Sequence, residues 1–236
     1  MTAFLPPRLL ASALALATCT LPALAQTHTL RIGASHFDPN SVASQTTGPF
    51  LLRPVSGQSV ALQSQDTGML SYAYTLHPNV EVELNLKRPS THRVVAEFNP
   101  GIAFPHVVAG YQGQVTALLR LQSPLVFINY RFGEPGDALR PFVGVGLNRT
   151  RFDTRISTAQ GNGLAGGPTD LRLHDSWSPA LQAGLTWTFS PGWSLQAAVA
   201  TQDVRTRLTA TTAGAVRTTD IRLRPLMASL SLGYSF

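Results

Sequence analysis

The chain has 236 residues, 44% of them hydrophobic and 13% charged, with a formal charge of +6 and one cysteine. A single cysteine excludes a domain stapled by disulfides, so backbone pairing and packing must hold the fold. The basic balance points to an anionic partner, since net charge speaks to partners and not to fold.

The first segment, "MTAFLPPRLLASALALATCTLPALAQ", carries Arg8, an apolar run from Leu9 to about Leu21, and the small-x-small end Ala23-Leu24-Ala25. That is a signal peptide over residues 1–25, with the mature chain starting at Gln26. The run is too short for a spanning helix. Lipoprotein processing before Cys19 is disfavoured by Thr18, which is larger than the residues that processing accepts. Losing Arg8 leaves residues 26–236 basic and without cysteine. No later stretch reaches the length of a spanning helix, and no heptad or 20–50-residue repeat is visible.

The mature chain alternates with a period of two, as strands do. Strands are expected at "TLRIGASHF" (29–37) and "TGMLSYAYT" (67–75). The next sets Val80, Val82, Leu84 and Leu86 against Glu81, Glu83, Asn85 and Lys87. Further strands run through Val126–Phe132, Phe142–Asn148, Leu181–Phe189, Trp193–Gln202 and "LMASLSLGYSF" (226–236), making eight. Tight turns rich in Pro, Gly and Asn (76–79, 133–137, 190–192) alternate with long connections at roughly 37–66, 88–118, 153–175 and 206–220. Tyr72, Tyr74, Tyr130, Phe132, Trp187, Phe189, Trp193, Tyr234 and Phe236 gather beside the short turns. Short turns at one end, long loops at the other and an aromatic band make an all-β, eight-stranded antiparallel transmembrane barrel, with the turns periplasmic and the long loops extracellular. A soluble sandwich needs neither asymmetry.

The segments "LHPNVEVELNL" (76–86), "LRPFVGVGLNRTRFD" (139–153), "LRLHDSWSPALQAGLTWTFSPGWSL" (171–195) and "SLGYSF" resemble the OmpW family of outer-membrane proteins in order and spacing. The resemblance implies a narrow barrel for passive transfer of small hydrophobic molecules. It also implies a constriction between a leucine and a tryptophan, whose positions here hold Asn85 and Ala200. On that reading the gate is missing and the lumen wetter than is usual for the family.

Lumen candidates are Glu81, Glu83, Asn85, Lys87, Arg131 and Ala200, inward by alternation; buried charges there need partners. The first reading for them is a polar plug fixing strand register, the second a solute path. Arg149, Arg151, Arg155, Arg172, Arg205, Arg207, Arg222 and Arg224 crowd the long-loop end, where guanidinium forks suit the phosphates of lipopolysaccharide. Tyr234 and Phe236 are the expected signal read by the barrel assembly machinery. "GNGLAGGPTD" (161–170) lacks the Lys-Ser/Thr of a phosphate loop and reads as a flexible surface loop; the "NRT" acceptor pattern (148–150) reads as chance. His92, His106 and His174 lie in loops, and adjacent His174-Asp175-Ser176 on a strand cannot stack into a relay. No enzyme, metal, cofactor or nucleic-acid partner is expected. The expected partners are outer-membrane lipids, lipopolysaccharide, the assembly machinery and small hydrophobic solutes, for a monomer. The alternative function is a structural or surface-interaction barrel acting through its loops.

Overall fold

The computed structural model describes residues 28–43, 58–98 and 109–236. The signal segment and His106 lie outside them. Eight strands close into a barrel: β1 (His28–Asp38), β4 (Gln65–His77), β5 (Val80–Lys87), β8 (Leu125–Arg131), β9 (Leu139–Ser157), β11 (Ser176–Ser190), β12 (Trp193–Gln202) and β15 (Leu226–Ser235). Each pairs antiparallel with its neighbour in that order, and β15 returns to β1 over the register Thr29↔Ser235 to Asp38↔Leu226. Closure leaves no barrel strand with an unpaired edge, as lipid demands.

The barrel's polarity is that of a membrane protein. Outward positions such as Ile32, Ile128, Val145, Leu181 and Leu230 are more than half exposed, while inward Glu83, Asn129, Ser71 and Asn148 are at most 1% exposed. The nine aromatics beside the short turns all point outward. Neighbouring rings touch within the band: Tyr130 on Phe132, Trp187 on Phe189 and Trp193 on Tyr234, at 5.0–5.6 Å between centroids.

The long connections are not the loops expected of them. One wall is made by β3 (Gln58–Leu62), β6 (Ser90–Phe98), β7 (Val115–Gln122) and the upper end of β9. The facing wall pairs β2 (Ser41–Ala43), β14 (Ala215–Leu223), β13 (Val204–Thr212) and β10 (Thr169–Leu173). The β13–β14 hairpin turns at Ala213-Gly214, both with positive φ, the pattern of a primed turn. The glycine-rich 161–170 segment is also ordered, correcting the flexible-loop reading. Its first half belongs to α1 (Ala159–Ala165), where Thr158 Oγ1 accepts from Gly161 N at 3.1 Å. Left-handed Gly166 ends the helix, and the amides of Gly166 and Gly167 close back on Gly163 and Asn162.

Strand β9 runs 19 residues, about 60 Å at 3.3 Å per residue, far beyond a hydrocarbon band of about 25 Å. Its pairing with β7 shifts register between Arg120↔Thr154 and Leu121↔Phe152, a bulge at Asp153. Between the two walls lies a buried cluster of Val94, Leu119, Leu121, Phe152, Leu173, Val204, Ile221 and Leu223.

Candidate functional site

The lumen is a stack of layers, because each inward position of one strand meets inward positions of its neighbours at the same height. At the turn end Arg140, 7% exposed, donates to the carbonyls of Pro78 (3.1 Å), Phe132 (3.3 Å) and Gly133 (3.3 Å). It ties two periplasmic turns together around a vestibule lined also by Arg31 and Arg131.

Above it sits a polar network. Arg31 Nη2 lies 3.1 Å from Glu81 Oε2, Arg31 Nη1 lies 3.6 Å from Glu83 Oε1, and Arg131 also pairs with Glu81. Glu83 accepts from Ser71 Oγ (2.5 Å), Asn129 Nδ2 (2.9 Å) and Gln182 Nε2 (3.2 Å). Gln182 Nε2 also reaches Asn129 Oδ1 at 2.6 Å. Two guanidiniums face two carboxylates, so the charges balance within the layer. Gly144 seats it, for a Cβ there would collide with Asn129 Oδ1. Glu81, Glu83 and Arg131 are thus part of a bridge across the barrel. Arg31, Asn129 and Gln182 were not singled out from the sequence, although Arg31 shares an inward register with Thr29 and Ser35.

An apolar cluster adjoins the bridge: Leu125, Phe127 (the strand partner of Glu83), Ala180 and Met227, with Ala200 and Phe37 packed on it. Asn85 and Ala200 do occupy the gate positions, and both face inward. Yet the strand partner of Asn85 is Leu125, and that of Ala200 is Met227. On its other side each meets a polar inward residue, Ser71 beside Asn85 and Gln182 beside Ala200, so apolar bulk and polar groups share this level. Two inward rings fit because glycines lie beneath them. A Cβ at Gly146 would meet the Phe127 ring, and one at Gly184 the Phe142 ring.

Next comes a second polar belt. Asn148 is fully buried, donating to Ser123 Oγ (2.6 Å) and the Pro124 carbonyl (3.0 Å), so the 148–150 pattern is inaccessible to glycosylation. Lys87 Nζ lies 2.7 Å from Met227 Sδ. His92 meets Ser90 Oγ at 2.9 Å. Burial is the main influence on His92, holding its pKa below the ordinary value, with the Gln63 backbone opposing. The apolar cluster between the outer walls caps the stack.

Outside the rim the arginines meet acids. Arg205, Arg222 and Arg224 converge on Asp203, with Arg222 Nε at 2.5 Å. The Arg222 hydrogen bond, reinforced by Arg205 against the effect of burial, holds the Asp203 carboxyl well below the usual carboxylate range. Arg207 pairs with Asp220 at 2.7 Å. Arg149 and Arg151 share Asp175, and Arg149 also lies over the Trp177 ring at 5.4 Å. Arg172 pairs with Asp170, while Arg155 turns inward and donates to the Leu173 carbonyl. Asp175 is therefore engaged by arginines, and Ser176 beside it is buried while His174 is exposed. Among the described residues, no three His, Cys, Asp or Glu side chains gather where a metal could sit.

Closed strands, an apolar belt, one aromatic girdle and a polar interior define a transmembrane β-barrel of the outer membrane. The OmpW family model matches residues 28–236, and the chain belongs to that family. It is 29% identical to Outer membrane protein W of Salmonella typhi over 226 residues, covering 92% of this chain and 98% of the relative. The crystal structure of OprG from Pseudomonas aeruginosa shares the fold with a TM-score of 0.74 at 19% identity, covering 89% of this chain and 95% of that one. Outer membrane protein AlkL, solved by solid-state NMR in DMPC bilayers, gives 0.62 at 18% identity, covering all of this chain and 97% of that one.

Proposed function

We infer that the barrel is a narrow channel for passive transfer of small hydrophobic molecules. The observation that carries this is the apolar lining of its outer half. Val94, Leu119, Leu121, Phe152, Val204 and Leu223 face inward there, and a second apolar layer at Leu125, Phe127 and Met227 lies deeper. An apolar solute exchanges water for these walls at about 25 cal/mol per Å² of buried apolar area, whereas an ion gains nothing from them. Uptake of a neutral apolar dye-sized solute into proteoliposomes, against empty liposomes, tests it. Equal uptake by both overturns it.

The bridge of Arg31, Glu81, Glu83, Asn129 and Gln182 favours a second reading, a structural barrel acting through its outer walls. Its contacts run from β1 and β5 across the lumen to β11, which supports that reading. Lipopolysaccharide is the surface partner we propose in either case. Three guanidiniums share the Asp203 carboxylate and two share Asp175, leaving positive charge for phosphate. Arg205, Arg222 and Arg224 changed together to Gln should weaken lipopolysaccharide binding in a salt-sensitive manner; unchanged binding refutes that contact.

A further inference from the structure

The second polar belt encloses a cavity of about 50 Å³, room for about four waters or a head group with a few methylenes. Its wall is unusual in composition. Leu121, Val204, Leu223 and Met227 make it apolar, Lys87 and Arg88 make it cationic, and among the described residues no Asp or Glu lines it. Among the described residues Lys87 Nζ has a methionine sulfur, a weak acceptor, and no carboxylate within ion-pair reach. Gln202, 6% exposed, lines the same cavity with its Oε1 buried and without a hydrogen-bond partner. Turning that amide end for end presents its NH₂ to the cavity instead.

A half-buried ammonium beside apolar walls and without a counter-charge is costly, and a ligand carboxylate offsets that cost. We propose that this cavity binds the carboxylate of a short aliphatic acid. Lys87 supplies the charge, Gln202 a second donor, and Leu121, Val204, Leu223 and Met227 hold the first methylenes. Its small size selects short acids over long ones, and the apolar wall selects them over inorganic anions. The site deepens the channel reading, resting on it only for how the acid arrives.

The test is calorimetric titration of the full chain, folded in a nonionic detergent, with hexanoate, hexan-1-ol and inorganic phosphate. Hexanoate should bind more tightly than either control. Lys87→Met should weaken hexanoate by about tenfold or more, the loss expected for one charge-assisted hydrogen bond, and leave hexan-1-ol unchanged. Lys87→Arg should keep hexanoate binding, and heat-modifiable migration on gels reports that each variant is folded. The proposal is overturned if Lys87→Met binds hexanoate like the parent, if hexan-1-ol binds as tightly as hexanoate, or if phosphate displaces it. If Lys87→Met does not fold, Gln202→Leu must weaken hexanoate, and parent-like binding by that variant overturns the proposal. Binding without liposome transfer would remove the channel and keep the site. Transfer of neutral solutes without hexanoate binding would do the reverse.

Discussion

Asn85 on β5 and Leu125 on β8 are strand partners, so a polar and an apolar side chain enter the lumen side by side. Leu125 is 1% exposed, and Phe127, two residues along the same strand, is buried as deeply. Under the proposed channel function the barrier belongs to Leu125 on β8 and Met227 on β15 more than to Asn85 and Ala200. Leu125→Ala should raise single-channel conductance in planar bilayers and cost about 2–5 kcal/mol of stability. Asn85→Leu should change conductance less, because the neighbouring position is already apolar. A larger effect from Asn85→Leu would return control to the gate positions.

The polar bridge should respond asymmetrically to truncation. Glu81 pairs with both Arg31 and Arg131, so Glu81→Ala leaves Arg131 without its carboxylate and Arg31 with Glu83 alone. A loss of about 3–5 kcal/mol is expected from breaking such a buried pair. Urea titration of the folded, fast-migrating gel form would measure it. Gly144→Ala should also destabilise, by displacing Asn129 from the bridge.

Closure should depend on the last pairing. The amide of Phe236 donates to the His28 carbonyl at 2.8 Å, and the His28 amide returns to the Phe236 carbonyl at 3.2 Å. The two rings also stack at 5.7 Å. Phe236→Ala keeps the backbone bonds and removes the ring, so we expect slower assembly and less fast-migrating form with export intact. Parent levels of that form would show that the ring is dispensable.

Acid should loosen the outer rim before the barrel. The depressed Asp203 carboxyl contributes stability that is fully present above its unfolded value of 3.8 and is lost as pH falls from there through the folded value. Protease cleavage between β12 and β13 should therefore rise below about pH 4. In Asp203→Asn the cleavage rate should already be high at neutral pH and lose this dependence. A parent rate flat between pH 5 and pH 3 refutes the claim.

All eight barrel strands were legible because lipid forces one face to be apolar along the whole strand. The outer strands were not, and the reason is an inversion. In the barrel, Val143 and Val145 face out while Gly144 and Asn148 face in. Above it, Val204 and Thr206 face in while Arg205 and Arg207 face out. Water replaces lipid outside and apolar contacts replace polar ones inside, so a strand read for an apolar outer face looks like loop. Glu81, Glu83 and Asn85 could be assigned to the lumen by parity alone. Arg131 is expected as a partner by the same parity and does pair with Glu81, whereas Arg31 is not, since its pairing with Glu81 depends on which strands come together. The apolar layer was missed for the same cause: Leu125 lies next to Asn85 only once β5 and β8 are paired.

The bulge at Asp153 acts on β9 as an inserted letter acts on a reading frame. Before it the even positions, Asn148, Thr150 and Phe152, point into the molecule. After it Ile156 points outward, 51% exposed, and Arg155 and Ser157 take the inner side. Removing Asp153 itself would take out the inserted letter: Phe152 and Arg155 would then be two positions apart and share the inner face, Ile156 would stay outside, and the bond from Arg155 to the Leu173 carbonyl that links β9 to β10 would survive. A single-residue change on either side of the bulge would instead exchange the two faces up to the end of the strand, so this strand tolerates an odd change of length only at Asp153, a constraint that ordinary loops at a barrel rim do not carry.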